Sequence, residues 1–143
     1  IAFPGSDFLL VDSIAKKAQA VKSMADELGL DNVSVQRARA EELRGSRDFV
    51  TGRAVKALPQ FLEWVGALVR RGGAGGVPRG VLYLKGGDFS EELASASARP
   101  SEVVPLSEYY PEHGFFETKS LLFFRSDDLG PAPRGKNRPR HRR

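Results

Sequence analysis

Two extended, apolar-rich segments, Glu102 to Glu108 and Phe116 to Phe124, are separated by only the seven residues Tyr109 to Phe115. A crossover between parallel strands takes a dozen residues or more, so these two are expected to run antiparallel. The upstream half has the opposite signature. Phe8-Leu9-Leu10-Val11 is an unbroken apolar run, too short for a helix and without polar alternation, as in a parallel strand covered on both faces. After Asp12 and Ser13 the period changes: Ile14, Ala18, Val21, Ala25 and Leu28 recur at spacings of four and three, and Gly29 can close this helix in the left-handed region. The chain therefore reads as an α/β domain whose mostly parallel sheet finishes in an antiparallel hairpin. That is not the topology of a dinucleotide-binding dehydrogenase.

Between those ends, Val33 to Val35 is a short strand and Arg37 to Leu43 a loop running into a helical turn. Asp48 to Thr51 is the next strand, followed by Gly52-Arg53-Ala54. Pro59 opens a helix whose Leu58, Phe61, Leu62, Val65, Leu68 and Val69 share one face. Arg70 to Gly80 reads as a glycine-rich surface insertion, not a phosphate cradle, because a strand (Val81 to Lys85) follows it instead of a helix. A short helix near Glu91 to Ala96 completes the series.

The 143 residues, 41% of them apolar, suit one domain large enough to cover a sheet. No apolar run approaches the ~20 residues of a membrane span and no signal peptide opens the chain, so a soluble protein without membrane partners is expected. The absence of cysteine excludes thiolate zinc sites and a cysteine nucleophile, and two widely separated histidines argue against a metal cluster. The net charge of +4 is local: Arg134, Lys136, Arg138, Arg140, Arg142 and Arg143 supply six positive charges, leaving the remainder near −2. Residues 130–143 are thus a proline-rich basic tail, expected to be disordered and able either to touch RNA phosphates or simply to solubilise the chain. Residues 1–129 are the domain. The chain enters almost directly on a strand from Ile1, which predicts an N-terminus cut from a longer protein.

The most informative residue is Asp12, an acid at the carboxyl end of a strand. In open α/β sheets ligands bind at that edge, and an acid there commonly accepts hydrogen bonds from ribose hydroxyls. An Asp or Ser before a helix also serves as a cap, contributing about 1 kcal/mol with no ligand. Position alone leaves both open.

LLVDSIAKKAQAVKSMADELGLDNVSVQRARAEEL, then DFVTGRAV, then LYLKGG, closely resembles the bacterial small-subunit (16S) rRNA guanine-N7 methyltransferases, the glucose-inhibited division protein B family, from Ile1 to about Leu129. The resemblance implies a Rossmann-like class I methyltransferase sheet of spatial strand order 3-2-1-4-5-7-6, in which Phe8 to Val11 is strand 2 and the first strand is missing. It implies S-adenosylmethionine as cofactor and small-subunit ribosomal RNA as partner. By residue, it places Asp12 and Ser13 at the ribose, Ala40 and Glu41 beside the adenine, and Arg53 at the reacting end as catalytic and cofactor-binding residue. Lys85, Arg134, Lys136 and Arg138 are the expected RNA contacts; no metal is expected. The setting implied is a bacterial cytoplasm or a plastid stroma. Without the family, Glu41 reads as a first-turn acid favouring a helix dipole and Arg53 as an ion-pair partner. Guanine N7 carries a free lone pair, so its methylation needs alignment and no general base.

Two departures from the family pattern stand out. Gly52 occupies a position where the family normally has Ala, and the glycine-rich first strand and loop are absent. Phe3-Pro4-Gly5 mimics part of that loop but lies too close to Asp12 to leave room for the intervening helix, so it reads as a turn into the strand. Residues 1–143 alone are therefore expected to be inactive. Two other readings stay open: a non-catalytic RNA-binding or ribosome-assembly module on the same fold, and a nicotinamide-dependent oxidoreductase, which shares the strand-end acid but not the terminal hairpin.

Overall fold

The computed structural model describes residues 1–130, which fall into two compact units, Ile1–Arg44 and a second beginning at Gly45. In the first, strand β1 (Phe8–Asp12) and strand β2 (Val33–Arg37) pair in parallel, with Phe8 opposite Val33 and Asp12 opposite Arg37, joined by helix α1 (Ala15–Glu27). The expected left-handed ending of α1 is present: Gly29 has φ +61°, and the Leu30 N–H reaches back to the Ala25 carbonyl at 3.1 Å. Before β1, the Asn32 amide donates to the carbonyls of Phe3 and Ser6, fastening the Phe3-Pro4-Gly5 turn to the entrance of β2. That segment is a turn into the strand, as expected.

The apolar stripe of α1 is narrower than its period suggested. Ala18 and Ala25 are buried and Val21 is half-buried, whereas Ile14 and Leu28 are largely exposed. Small alanines let the helix lie close to a two-stranded sheet, and the bulkier residues at the helix ends overhang it. Nor is β1 covered on both faces. Phe8 and Leu10 remain 38% and 39% exposed, because the unit supplies one helix and therefore one apolar cover.

The second unit contains β3 (Phe49–Arg53), α2 (Leu58–Val65), β4 (Gly73–Ala74), β5 (Val77–Pro78), β6 (Gly80–Gly86), α3 (Ser90–Ser95), β7 (Glu102–Pro105) and β8 (Lys119–Arg125). Its main sheet has the order β3-β6-β8-β7. β3 runs parallel to β6, and β8 runs antiparallel to both β6 and β7. The expected mixed sheet is therefore present, but its strands end elsewhere than the sequence suggests. β7 stops at Pro105 and β8 starts at Lys119, so residues 106–118 connect them through two 3₁₀ turns. The Tyr109 and Tyr110 N–H groups both donate to the Leu106 carbonyl, so the chain coils where a longer strand was expected. The glycine-rich segment likewise holds a small hairpin, β4 with β5.

The core of this unit lies on one face of the sheet. Leu58, Phe61, Leu62 and Val65 of α2 meet Val81 and Tyr83 of β6 and Leu122 and Phe124 of β8, all buried. The register places Val81 opposite Phe124 and Tyr83 opposite Leu122, so alternation sends these four to the same side. Each fully buried side chain of this size contributes roughly 1.5–3 kcal/mol. Among the described residues β1 has a ladder partner only in β2, and β3 only in β6. Those are the pairings the expected order assigns to strands 2 with 3 and 4 with 5.

Candidate functional site

Each unit carries candidate site residues of its own. In the first, the parallel pairing of β1 with β2 brings their carboxyl ends to one edge. Asp12 and Ser13 stand at the end of β1, and Ala40 and Glu41 sit in the 3₁₀ turn Ala40–Glu42 just beyond β2. The edge is stitched by the Ala38 N–H donating to the Asp12 carbonyl at 3.2 Å. Four residues far apart in sequence are thereby gathered. Oδ1 of Asp12 accepts the Ile14 N–H at 2.8 Å, which tightens the turn into α1. The cap position of α1 is Ile14, and it has no side-chain cap, so neither Asp12 nor Ser13 plays the capping role that was one reading of the sequence. Among the described residues, Oδ2 of Asp12 has no protein donor. A strand-end carboxylate with one oxygen steadied by backbone and the other available fits a vicinal diol. Glu41 is exposed, with Arg39 at 3.9 Å, too weak a contact to hold it.

In the second unit Arg53 ends β3, opposite Leu84. Its side chain is exposed and makes no hydrogen bond or ion pair among the described residues, so the structural ion-pair reading of Arg53 finds no partner there. Behind it, Gly52 is required by space. A Cβ at Gly52 would lie 2.5 Å from Cζ of Phe61 and 3.0 Å from Cδ2 of Tyr83, so the absent methyl admits the aromatic pair, whose rings are 4.6 Å apart. Ahead of it, Ala54 takes φ +52°, uncommon for a residue with a Cβ.

Lys85 is placed differently from the expectation. It alternates onto the Tyr83 face of β6, opposite the face that carries Arg53, and its Nζ is 2.6 Å from Oε1 of Glu92 with the side chain only 16% exposed. Its ammonium is thus already paired with a carboxylate on that face. The short apolar strand gave no hint of this, because the partner carboxylate comes from another element. Arg134, Lys136 and Arg138 lie outside the described residues.

Sequence reasoning missed Glu92 and Tyr83. The other oxygen of Glu92 accepts the N–H of Leu58, the first residue of α2, at 2.7 Å, and the Tyr83 hydroxyl donates to the Lys56 carbonyl at 2.6 Å. The Lys85 ammonium, then the Leu58 N–H, hold the Glu92 carboxyl below the usual carboxylate range, against the opposing effect of burial. The one available signal was a tyrosine in an otherwise aliphatic strand, since a buried phenol needs a partner. No group of His, Asp and Glu among the described residues is arranged to hold a metal, and no helix there is long and apolar enough to cross a membrane.

The second unit also has an open apolar groove of about 580 Å³, lined by Phe49, Leu82, Val104, Tyr109, Tyr110 and Phe123 among others. Neither Arg53 nor Lys85 lines it.

Comparison with known proteins bears on this arrangement. The chain is similar to solved methyltransferases at low identity. The mitomycin 7-O-methyltransferase MmcR aligns with TM-score 0.63 and 14% identity over 87% of this chain and 43% of that one. A SAM-dependent methyltransferase from Aquifex aeolicus aligns with TM-score 0.56 and 13% identity over 82% of this chain and 67% of that one. These likenesses establish the class I methyltransferase fold. Sequence relatives are nearer. The ribosomal RNA small subunit methyltransferase G of Christiangramia forsetii is 42% identical over 123 residues, and that of Flavobacterium johnsoniae 41% identical over 122, covering 86% and 85% of this chain. The chain spans 57% of the length of each. Residues 1–106 match the family model described as GidB, rRNA small subunit methyltransferase G, and the chain belongs to that family.

Proposed function

We propose that the full-length protein transfers a methyl group from S-adenosylmethionine to N7 of a guanine in small-subunit ribosomal RNA. The observation that carries this reading is the gathering of Asp12, Ser13, Ala40 and Glu41 at one sheet edge, in a chain of this family. The donor set fits the cofactor's nucleoside: Asp12 would accept from the ribose hydroxyls, and Ala40 and Glu41 would border the adenine. When bound, the cofactor supplies an electrophilic methyl group.

The chain's own work is then to bind and orient. Guanine N7 is a free lone pair, so no residue has to remove a proton first. Arg53, exposed and unpaired among the described residues, would donate to the guanine O6 that adjoins N7, the commonest contact between arginine and this base. Holding acceptor and donor in line lowers the barrier, because the cost of orienting them is met on binding. The setting would be a bacterial cytoplasm or a plastid stroma, where small subunits mature.

The test is transfer of tritiated methyl from the cofactor to small-subunit RNA lacking the modification, followed by borohydride and aniline cleavage, which cuts at N7-methylguanine. A single cleavage site dependent on the protein is expected. Label on an exocyclic amine or on ribose would overturn the N7 assignment, and tight RNA binding with no transfer would favour the assembly-module reading.

A further inference from the structure

We propose that Glu92 is a positioning residue for Arg53, tying down the far end of the turn that carries it. The inference rests on the reading of Arg53 given above. Only Ala54, Val55, Lys56 and Ala57 separate the end of β3 from the start of α2. At the near end, Arg53 is held in the ladder with β6 opposite Leu84. At the far end, α2 begins without any cap from its own flanking residue Ala57. Its first residue, Leu58, is fully buried, so an unpaired N–H there is costly, and that N–H is satisfied by Glu92, a carboxylate from α3.

The same carboxylate does two jobs. With Oε2 on Leu58 and Oε1 on Lys85, Glu92 links the start of α2 to the end of β6 at 2.7 and 2.6 Å. Tyr83, two residues before Lys85, fixes the turn from the inside through its hydroxyl on the Lys56 carbonyl at 2.6 Å. The buried ring that carries this hydroxyl is itself wedged against Phe61. Between the ladder and these two anchors only Ala54 and Val55 are left to adjust. Ala54 takes the strained left-handed conformation, which persists when the chain on both sides is over-determined. The direction in which the backbone delivers Arg53 is therefore set by groups from β6 and α3, on the opposite face of the sheet from Arg53 itself.

Glu92→Gln in the full-length protein is the test. A carboxamide offers one acceptor oxygen where the carboxylate offers two, so one of the two links must be lost. We expect kcat for RNA methylation to fall at least tenfold, more than any accompanying change in the dissociation constants of cofactor and RNA. The ¹⁵N signal of Arg53 Nε should shift or broaden, a readout that does not depend on activity. Tyr83→Phe, which removes the Lys56 link without altering charge, should move the same two observables in the same direction, and it carries the test alone if Glu92→Gln does not fold. A lowered melting temperature with kcat and the Arg53 signal both unmoved would make Glu92 a structural residue only and overturn the proposal. Should the parent protein transfer no methyl group, the functional reading fails, but an Arg53 signal that follows Glu92 would still support the coupling.

Discussion

Adding a single methyl at Gly52 tests the packing behind Arg53 most directly. The Cβ of Gly52→Ala would sit 2.5 Å from Cζ and 2.9 Å from Cε2 of Phe61, about 1 Å inside ordinary contact. Phe61 is 3% exposed and Tyr83 1%, so neither ring can swing into solvent and the strand or α2 must move. Overpacking of this kind costs about 1–3 kcal/mol, while replacing glycine in a strand returns roughly 0.5–1 kcal/mol of backbone entropy. The net expectation is a destabilisation of roughly 1–2 kcal/mol. Urea unfolding should show the midpoint falling with the slope unchanged, since the same surface is exposed. The cause can be isolated with Phe61→Leu. That substitution alone should destabilise, but combined with Gly52→Ala it should cost less than the sum of the two, because the smaller side chain vacates the space the methyl needs. A Gly52→Ala protein as stable as its parent, or a double variant that is merely additive, would refute the steric argument. Family members with Ala at this position should then carry a smaller or displaced side chain where this chain has Phe61.

Three further outcomes are expected in the full-length protein. Asp12→Ala should weaken cofactor binding by roughly 1.5–3 kcal/mol, or about 10- to 150-fold by calorimetric titration, while the lost Ile14 bond lowers stability by at most about 1 kcal/mol; unchanged affinity would reduce Asp12 to a turn residue. Arg53→Ala should abolish methyl transfer in the tritium assay and leave the thermal midpoint within about 1 °C, because the side chain is exposed and unbonded among the described residues; full turnover would remove Arg53 from the reaction. The folded Glu92 carboxyl is held below its usual range by Lys85 and Leu58, so its stabilisation is complete above the unfolded value of about 4.3 and is lost as pH falls through the lower folded value. Urea titrations should thus show the stability gap between parent and Glu92→Gln closing below pH 4, and a gap that persists in acid would mean the carboxylate charge is not what acts.

Much of this was written locally in the chain. A 3.6-residue period ending at Gly29 marks α1 whatever it packs on, and an apolar run ending in an acid delivers that acid to a strand end, so the place of Asp12 at a strand end is legible in the sequence. The segments around Asp12, Arg53 and Lys85 carry the family likeness, and the structure sets Ala40 and Glu41 just beyond β2, the strand paired with β1. Strand ends were less legible: β7 stops at Pro105 and residues 106–110 coil on the Leu106 carbonyl, an outcome that propensity alone does not resolve. Least legible were contacts between elements distant in sequence. Lys85 lies next to the end of its strand, where an exposed cation is expected, and only the packing of α3 beside β6 hands it to Glu92. Gly52 looked like a small departure from the family pattern until α2 placed the ring of Phe61 against it. Local periodicity decides which segments are helix or strand, because it depends on neighbours three or four residues away. The partner of a charge, and the space beside a Cα, depend on which elements are folded against each other, and so belong to the tertiary structure.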